Sequence, residues 1–274
     1  MKIIDMHRHN SDPDEVEKLR TQWDALGYAH VCYSGNLADL REQMARYPGY
    51  VIGFAYLKMD DGSVPWRNPE LSRDARIAVD ELDRYQEQGF RGLKVIYTQK
   101  PYSHPDYFPY YERAQKLGMP ILFHTGWVSG GPSGPVRRHE NYRPVYLQTI
   151  ASNFPELNVI CAHLGGWQFS MEAVVAMWKH PNVYADLCGA TMYRRPTAYF
   201  RDLFCLTPPA QPEQPPELDL DIFGRLVYGT DNCDEEIFGF YQRLFKALNV
   251  PQAVQEKVYW GNMAALLKLE QGAG

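Results

Sequence analysis

Residues 51–57 read Val51-Ile52-Gly53-Phe54-Ala55-Tyr56-Leu57, and residues 158–162 read Asn158-Val159-Ile160-Cys161-Ala162. Neither run alternates apolar with polar residues. A strand with one wet face alternates, whereas a strand covered on both faces is apolar nearly throughout, as parallel strands under crossover helices are. Working outward, further β-rich runs lie near residues 2–9, 30–34, 92–97, 120–125, 182–187 and 225–230, and the sixth continues to residue 163, which makes eight candidate strands. Helical patterns fall between them at 37–46, 73–88, 106–117, 144–153, 170–179, 198–204 and 235–248. The helix after the first strand has the clearest start signal. Asp12 can cap it, Pro13 suits the first helical position, Glu15 completes a capping-box spacing and Gly27 closes it.

Strand then helix, eight times over, predicts parallel strands joined by right-handed crossovers, and so a (β/α)8 TIM barrel occupying residues 1–274 as a single domain. One such barrel needs ~250 residues, although the same length would house two domains of ~130. An open doubly wound sheet is the alternative. It would show a Gly-rich phosphate loop after its first strand, and none follows here. The Pro-rich stretch 206–218 reads as a rigid extended loop, and residues 263–267 as a last helix against the outside or bottom of the barrel.

The net charge of −5, with no Lys/Arg run, argues against a nucleic-acid partner. No apolar run approaches the ~18–20 residues of a membrane span. Met1-Lys2-Ile3-Ile4-Asp5 enters the first strand pattern directly, without the apolar stretch of a signal peptide. The 5 cysteines are scattered and form no CxxC, which fits free thiols in a reduced, cytoplasmic setting. The expected partner is a small molecule.

Ligand-type residues gather at one end of the strands. His7 and His9 close the first, His124 ends the fifth, His163 the sixth, and Asp231 follows the eighth. In a barrel the strand C-termini form one face, which holds the active site. Side chains at i and i+2 of a strand share a face, so His7 and His9 can bind one ion, with Asp5 on the same side. Taken singly, each has a plainer reading: surface histidines for the pair, packed core residues for His124 and His163, a helix cap for Asp231. Five of them at one rim point to a metal site.

The motifs Ile4-Asp5-Met6-His7-Arg8-His9, Gly89-Phe90-Arg91-Gly92-Leu93-Lys94, Phe123-His124-Thr125-Gly126, Ala162-His163-Leu164-Gly165-Gly166, Tyr228-Gly229-Thr230-Asp231 and Gly261-Asn262-Met263-Ala264 span nearly the whole chain. In this order and spacing the chain resembles the metal-dependent amidohydrolase superfamily, in the branch of aminocarboxymuconate semialdehyde decarboxylase and related lactone hydrolases. It is shorter than the larger decarboxylases, with little room for insertions after the first strand. The resemblance implies one divalent ion held by His7, His9, His124 and Asp231. Such a ligand set suits zinc, and manganese or iron could serve. An open position would hold a water whose pKa the ion lowers to ~7. The resemblance places His163 beside that water as general base or carbonyl polariser, with a further metal ligand as its other reading, and lets Asp231 share the proton work. It also implies barrels that pair as homodimers.

Lys94 has three readings: a carboxylated bridge between two metals, a cation for an anionic substrate, or a lysine paired with a nearby carboxylate. Arg8 points away from the ligand histidines by alternation and is read as structural. Tyr97, Trp127 and Trp167 are pocket candidates. Arg137 and Arg138, in a Gly-hinged loop after His124 that also holds Arg143, could clamp a substrate carboxylate. The expected reaction is hydrolysis of a small lactone, ester or amide by a metal-activated water. Non-oxidative decarboxylation of an unsaturated or aromatic acid is the alternative, and a barrel that only binds is a third.

Overall fold

The computed structural model describes residues 1–9, 12, 14–61, 76–128, 139–205 and 217–269. Pro13, Arg137, Arg138 and most of the Pro-rich stretch lie outside the described residues. Strands β1 (Ile3–His9), β2 (Tyr28–Ser34), β3 (Val51–Tyr56), β4 (Gly92–Val95), β5 (Ile121–Phe123), β6 (Val159–Cys161) and β7 (Val183–Ala185) form one parallel sheet in chain order.

The eighth run closes the ring without becoming a regular strand. It contributes one isolated bridge, Leu226 with Ala185. The Val227 N–H donates to the Ala185 carbonyl at 2.8 Å on one side, and the Tyr228 carbonyl accepts from the Met6 N–H at 3.0 Å on the other. Its other backbone groups are claimed by the end of the chain. The Tyr228 N–H donates to the Val258 carbonyl at 3.0 Å, and the Asn262 amide donates to the Gly224 and Leu226 carbonyls at 2.7 Å each. Most backbone groups of this segment are thus paired, but not all in a ladder. The architecture is a (β/α)8 barrel with an irregular eighth stave.

Among the described residues, one principal helix follows each stave: α1 (Glu15–Leu26), α2 (Leu37–Arg46), α3 (Glu81–Glu87), α4 (Phe108–Leu117), α5 (Val145–Asn153), α6 (Gly166–Lys179), α7 (Thr197–Phe204) and α8 (Asp234–Ala247). Two expectations need correcting. The capping box at α1 does not form. The Asp12 carboxylate accepts the Asp14 N–H at 2.9 Å, one residue early, and Glu15 turns away to Arg8 and Tyr33. Helix α3 starts later than residue 73, because residues 76–80 are loop and turn, and the Ile77 N–H is drawn onto the Lys58 carbonyl at 3.0 Å.

The strands sort their side chains into two apolar layers. Val31, Val51, Leu93, Ile121, Val159 and Val183 face the helices, in a layer with Trp23, Leu40, Leu147 and Phe245. Ile4, Met6, Cys32, Ile52, Phe54, Leu122, Ile160 and Val227 fill the barrel itself. The last helix, Asn262–Leu266, completes that inner layer with Met263, Ala264, Leu266 and Leu267. It does so at the bottom, where Leu266 and Leu267 border a cleft with Phe90 and Met119, which precede β4 and β5. The opposite mouth is left to polar residues. No helix among the described residues is long and apolar enough to cross a membrane, and all five cysteines are free thiols.

Candidate metal centre

The site begins with an irregularity in β1. Asp5 lies opposite Val31 and Arg8 opposite Tyr33, so a three-residue step faces a two-residue step. The extra residue is a β-bulge, a device that re-aims side chains. It overturns the expectation that Asp5 shares a face with His7. The Asp5 carboxylate instead takes Arg8 at 3.1 Å, with the Thr230 hydroxyl at 2.7 Å and the Thr230 N–H at 3.0 Å. Arg8 is fully buried over the Trp23 ring, 4.5 Å from its centroid, and bonds Glu15 at 2.9 Å and also Asp234. Asp5 and Arg8 therefore lock β1 to the helices, while His7 and His9 face the mouth.

His7 is held at both ring nitrogens. Nδ1 lies 2.9 Å from an Asp186 oxygen, and Nε2 lies 2.8 Å from the Lys94 ammonium nitrogen and 3.9 Å from Asp231 Oδ1. His9 Nε2 is 3.2 Å from the same Asp231 oxygen, and its Nδ1 is 3.2 Å from both the Tyr56 and Ser34 hydroxyls. One donor atom each from His7, His9 and Asp231 falls within 4.8 Å of the others. Two donors bound ~2.1 Å from one tetrahedral ion stand ~3.4 Å apart, close to these separations. With Asp186 fixing Nδ1–H, the His7 lone pair at Nε2 points toward Asp231, an arrangement typical of histidine ligands. These residues fit a divalent cation. A second group converges as closely: His7, His163, Asp186 and Cys188. His124 stands beside that group, its ring centroid 4.9 Å from that of His163 and its Nε2 3.4 Å from the Trp127 carbonyl.

Electrostatics put the groups in the protonation states that a metal needs. Burial, aided by Lys94, lowers the His7 pKa to about 3, and burial with His163 beside it keeps His124 well below the usual imidazole range. Burial alone would raise Asp231, but its hydrogen bond from His9 and the nearby His7 hold it well below the ordinary carboxylate range. Asp186 is likewise lowered against its burial, by the hydrogen-bonded His7, by the nearby His163 ring and by the hydrogen bond from the Cys188 thiol. Lys94, wholly buried, is lowered to about 8 by desolvation, with Asp231 and Asp186 opposing.

The backbone is strained at this rim. Tyr97 (φ 63°), His163 (φ 61°), Leu164 (φ 44°), Asp231 (φ 51°) and Asn232 (φ 64°) all occupy the left-handed region. Each costs ~1–2 kcal/mol in a non-glycine residue. Such strain gathers where function demands a particular side-chain direction. It also explains why the expected fourth to seventh strands overran: regular pairing ends at Val95, Phe123, Cys161 and Ala185, and the site residues sit just beyond. His163 is therefore in a turn, not a strand. Close approach is secured by glycine at two points. A Cβ on Gly229 would lie 2.8 Å from the His7 Cβ, and one on Gly126 (φ 82°) would lie 2.7 Å from the Gly165 carbonyl oxygen.

The remaining candidates are scattered. Tyr97 is buried beside Tyr56 and Thr98 in a small cleft. Trp127 is 60% exposed and stacks on His139, centroids 5.2 Å apart. Trp167 is half exposed, with the Arg195 guanidinium 5.2 Å over its ring. Arg143 is committed to Glu172 at 3.0 Å and is not a free clamp. Arg137 and Arg138 fall outside the described residues. Sequence reasoning missed Asp186 and Cys188. Their signal was positional: Ala185-Asp186-Leu187-Cys188 ends the seventh run at the same rim as the histidines.

The family profile described as amidohydrolase matches residues 4–269. The chain belongs to the amidohydrolase family. A gamma-resorcylate decarboxylase from a Polaromonas species is 25% identical over 255 residues, which cover 85% of this chain and 74% of that one. Among solved structures, an uncharacterized TIM-barrel protein from Bordetella bronchiseptica superposes with a TM-score of 0.68 at 16% identity, covering 98% of this chain and 99% of the other. A probable 2-pyrone-4,6-dicarboxylic acid hydrolase from Acinetobacter baumannii gives 0.62 at 14% identity, covering 98% and 100%. The likeness to these two structures is one of fold.

Proposed function

We propose that this amidohydrolase is a metal-dependent hydrolase of a small lactone, ester or amide, with a single divalent ion held by His7, His9, Asp231 and His124. The observation that carries the reading is the convergence of His7 Nε2, His9 Nε2 and Asp231 Oδ1, with Asp186 fixing the His7 tautomer. Imidazole and carboxylate donors favour zinc, with manganese as the second choice. Bound there, the ion would supply a Lewis acid for the substrate carbonyl and a more acidic water.

The protein supplies the proton handling. The Nδ1 of His163 lies 3.1 Å from the Cys188 carbonyl, which assigns the N–H to Nδ1 and leaves Nε2 to accept a proton as general base. Its ring centroid stands 4.9 Å from those of His7 and His124, so it sits at the proposed centre. Asp231, ionised and next to both ligand histidines, is placed to pass a proton to the leaving group. Lys94, 2.8 Å from His7 Nε2, competes for that lone pair as an ammonium, and must move, or give up its proton, when the ion binds. Decarboxylation of an aromatic acid is the second reading, favoured by the relative that matches most of the chain's length.

The test is metal content of protein purified without added metal, native against His124→Ala, followed by panels of lactones and aromatic acids. About one equivalent of metal, lost in the variant, with lactone turnover is expected. Carbon dioxide release without lactone turnover would move the assignment to the second reading. About two equivalents, reduced to one by Lys94→Met, would bring Lys94 in as a bridging ligand. Failure to take up metal even on reconstitution would overturn both.

A further inference from the structure

We propose a second, closed cation site directly beneath the first, for a soft divalent ion of the zinc or cadmium class, built from His163, Asp186 and Cys188 together with His7. The site itself does not depend on the reaction assigned above. Only its consequence for the outer centre rests on that reading.

The donors already stand at coordination spacing. The Cys188 sulfur is 3.2 Å from His7 Nδ1, 3.3 Å from His163 Nδ1 and 2.8 Å from Asp186 Oδ1. His7 Nδ1 is 2.9 Å from Asp186 Oδ2, and His163 Nδ1 is 4.0 Å from Asp186 Oδ1. Around one ion with ~2.3 Å metal–sulfur and ~2.0 Å metal–nitrogen bonds, tetrahedral sulfur and nitrogen donors stand ~3.5 Å apart. Asp186 and Cys188 come from the turn after β7, His163 from the turn after β6 and His7 from β1, across the eighth stave, so three staves supply one cage. One sulfur, two nitrogens and a carboxylate select zinc-like ions over magnesium or calcium.

The two groups differ in access. All four inner residues are buried, whereas in the outer group the His9 and Asp231 side chains are 33% and 29% exposed. A cation site with four protein donors and no open position is structural or inhibitory in type, while a catalytic one keeps a position open.

Both groups use His7, through opposite nitrogens. An ion on Nδ1 displaces the proton shared with Asp186, and a neutral imidazole then carries its proton on Nε2, the nitrogen that the outer centre requires. The Cys188 thiol proton leaves to solvent as the inner ion binds. Filling the inner site thus withdraws His7 and His163 from the outer one, and a soft ion in excess acts as an inhibitor built into the centre.

Cobalt(II) is the probe, titrated into the metal-free full chain while thiolate-to-cobalt absorption in the near ultraviolet is followed. Native protein and His9→Ala, which cripples only the outer group, are expected to develop that band. Cys188→Ser is expected to lose it while still binding cobalt. Cobalt binding without a thiolate band in native protein and in His9→Ala would overturn the inner site and leave the outer reading standing, whether or not the Cys188 variant folds. A band that survives in Cys188→Ser would assign the thiolate to another cysteine and also overturn it. A thiolate band in native protein whose loss in Cys188→Ser abolishes all cobalt binding would support the inner site and sink the outer one.

Discussion

The two ends of this barrel are built on opposite rules. At the bottom, Met263, Ala264, Leu266 and Leu267 plug an apolar core, and the half-buried Asn262 amide stitches the eighth stave to the final helix. At the mouth, the ends of the same staves carry buried histidines, ionised carboxylates and a lysine, on a backbone forced through positive φ at Tyr97, His163 and Asp231. The side chains at the mouth are polar groups buried against their own preferences, and those that plug the bottom are apolar groups buried in agreement with theirs. Stability and chemistry should therefore come apart when the two ends are mutated separately.

The sharpest break is expected at His163. His163→Gln should lower kcat ~10²–10⁴-fold, the range for losing a general base, while metal content is retained. A melting curve and elemental analysis beside the kinetics would check this, and metal lost together with activity would turn His163 into a ligand. At the bottom, Asn262→Ala should do the reverse. It strands the Gly224 and Leu226 carbonyls, at ~1–3 kcal/mol for each buried group left unpaired, with kcat/KM of the folded protein unchanged.

The same contrast explains what could be read from the chain in advance. The staves and most helices were legible because each apolar run records its own burial, as in Val51-Ile52-Gly53-Phe54-Ala55. So was the rim, since His7, His9, His124, His163 and Asp231 all fall where a run stops. The β1 bulge was not, because register is fixed by the partner strand, and it moved Asp5 from the site to the Arg8 network. Neither was the irregular eighth stave, whose ladder is broken by Val258 and Asn262, thirty or more residues beyond the groups they bond. Asp186 was hidden for a different reason: an aspartate closing a three-residue strand looks like any turn residue until His7 is seen against it.

Lys94 tests whether the mouth is costly before metal arrives. Its buried ammonium has a pKa of about 8, against 10.5 for a free lysine. Between those values the unfolded chain holds one more proton than the native one, so stability rises with pH there; below about 8 both states are charged and the native state bears the full desolvation cost. The metal-free protein should gain up to ~3 kcal/mol on Lys94→Met at neutral pH, and the gain should shrink as pH climbs toward 10.5. Urea titrations of both proteins at several pH values would measure the difference, and a gain independent of pH would assign it to packing instead.

The smallest effect is the most direct comparison of the two ends, because it uses one backbone geometry in two settings. Lys268, after the final helix, has φ 51°, and Asn232, beside the proposed ligands, has φ 64°. Glycine relieves such strain at either position. At the bottom the Lys268 side chain lies over Gly118 and makes no hydrogen bond or ion pair among the described residues, so Lys268→Gly should stabilise by ~0.5–1 kcal/mol. At the mouth the Asn232 side chain accepts the His9 N–H at 2.9 Å and donates to the His9 carbonyl at 2.8 Å, tying the strained turn to the end of β1. Asn232→Gly removes both bonds, each worth ~1 kcal/mol, so the same substitution should be net destabilising there and should weaken metal binding through a looser His9. If both variants were stabilised equally, the strain at the mouth would be incidental rather than the means by which His9 and Asp231 are brought together.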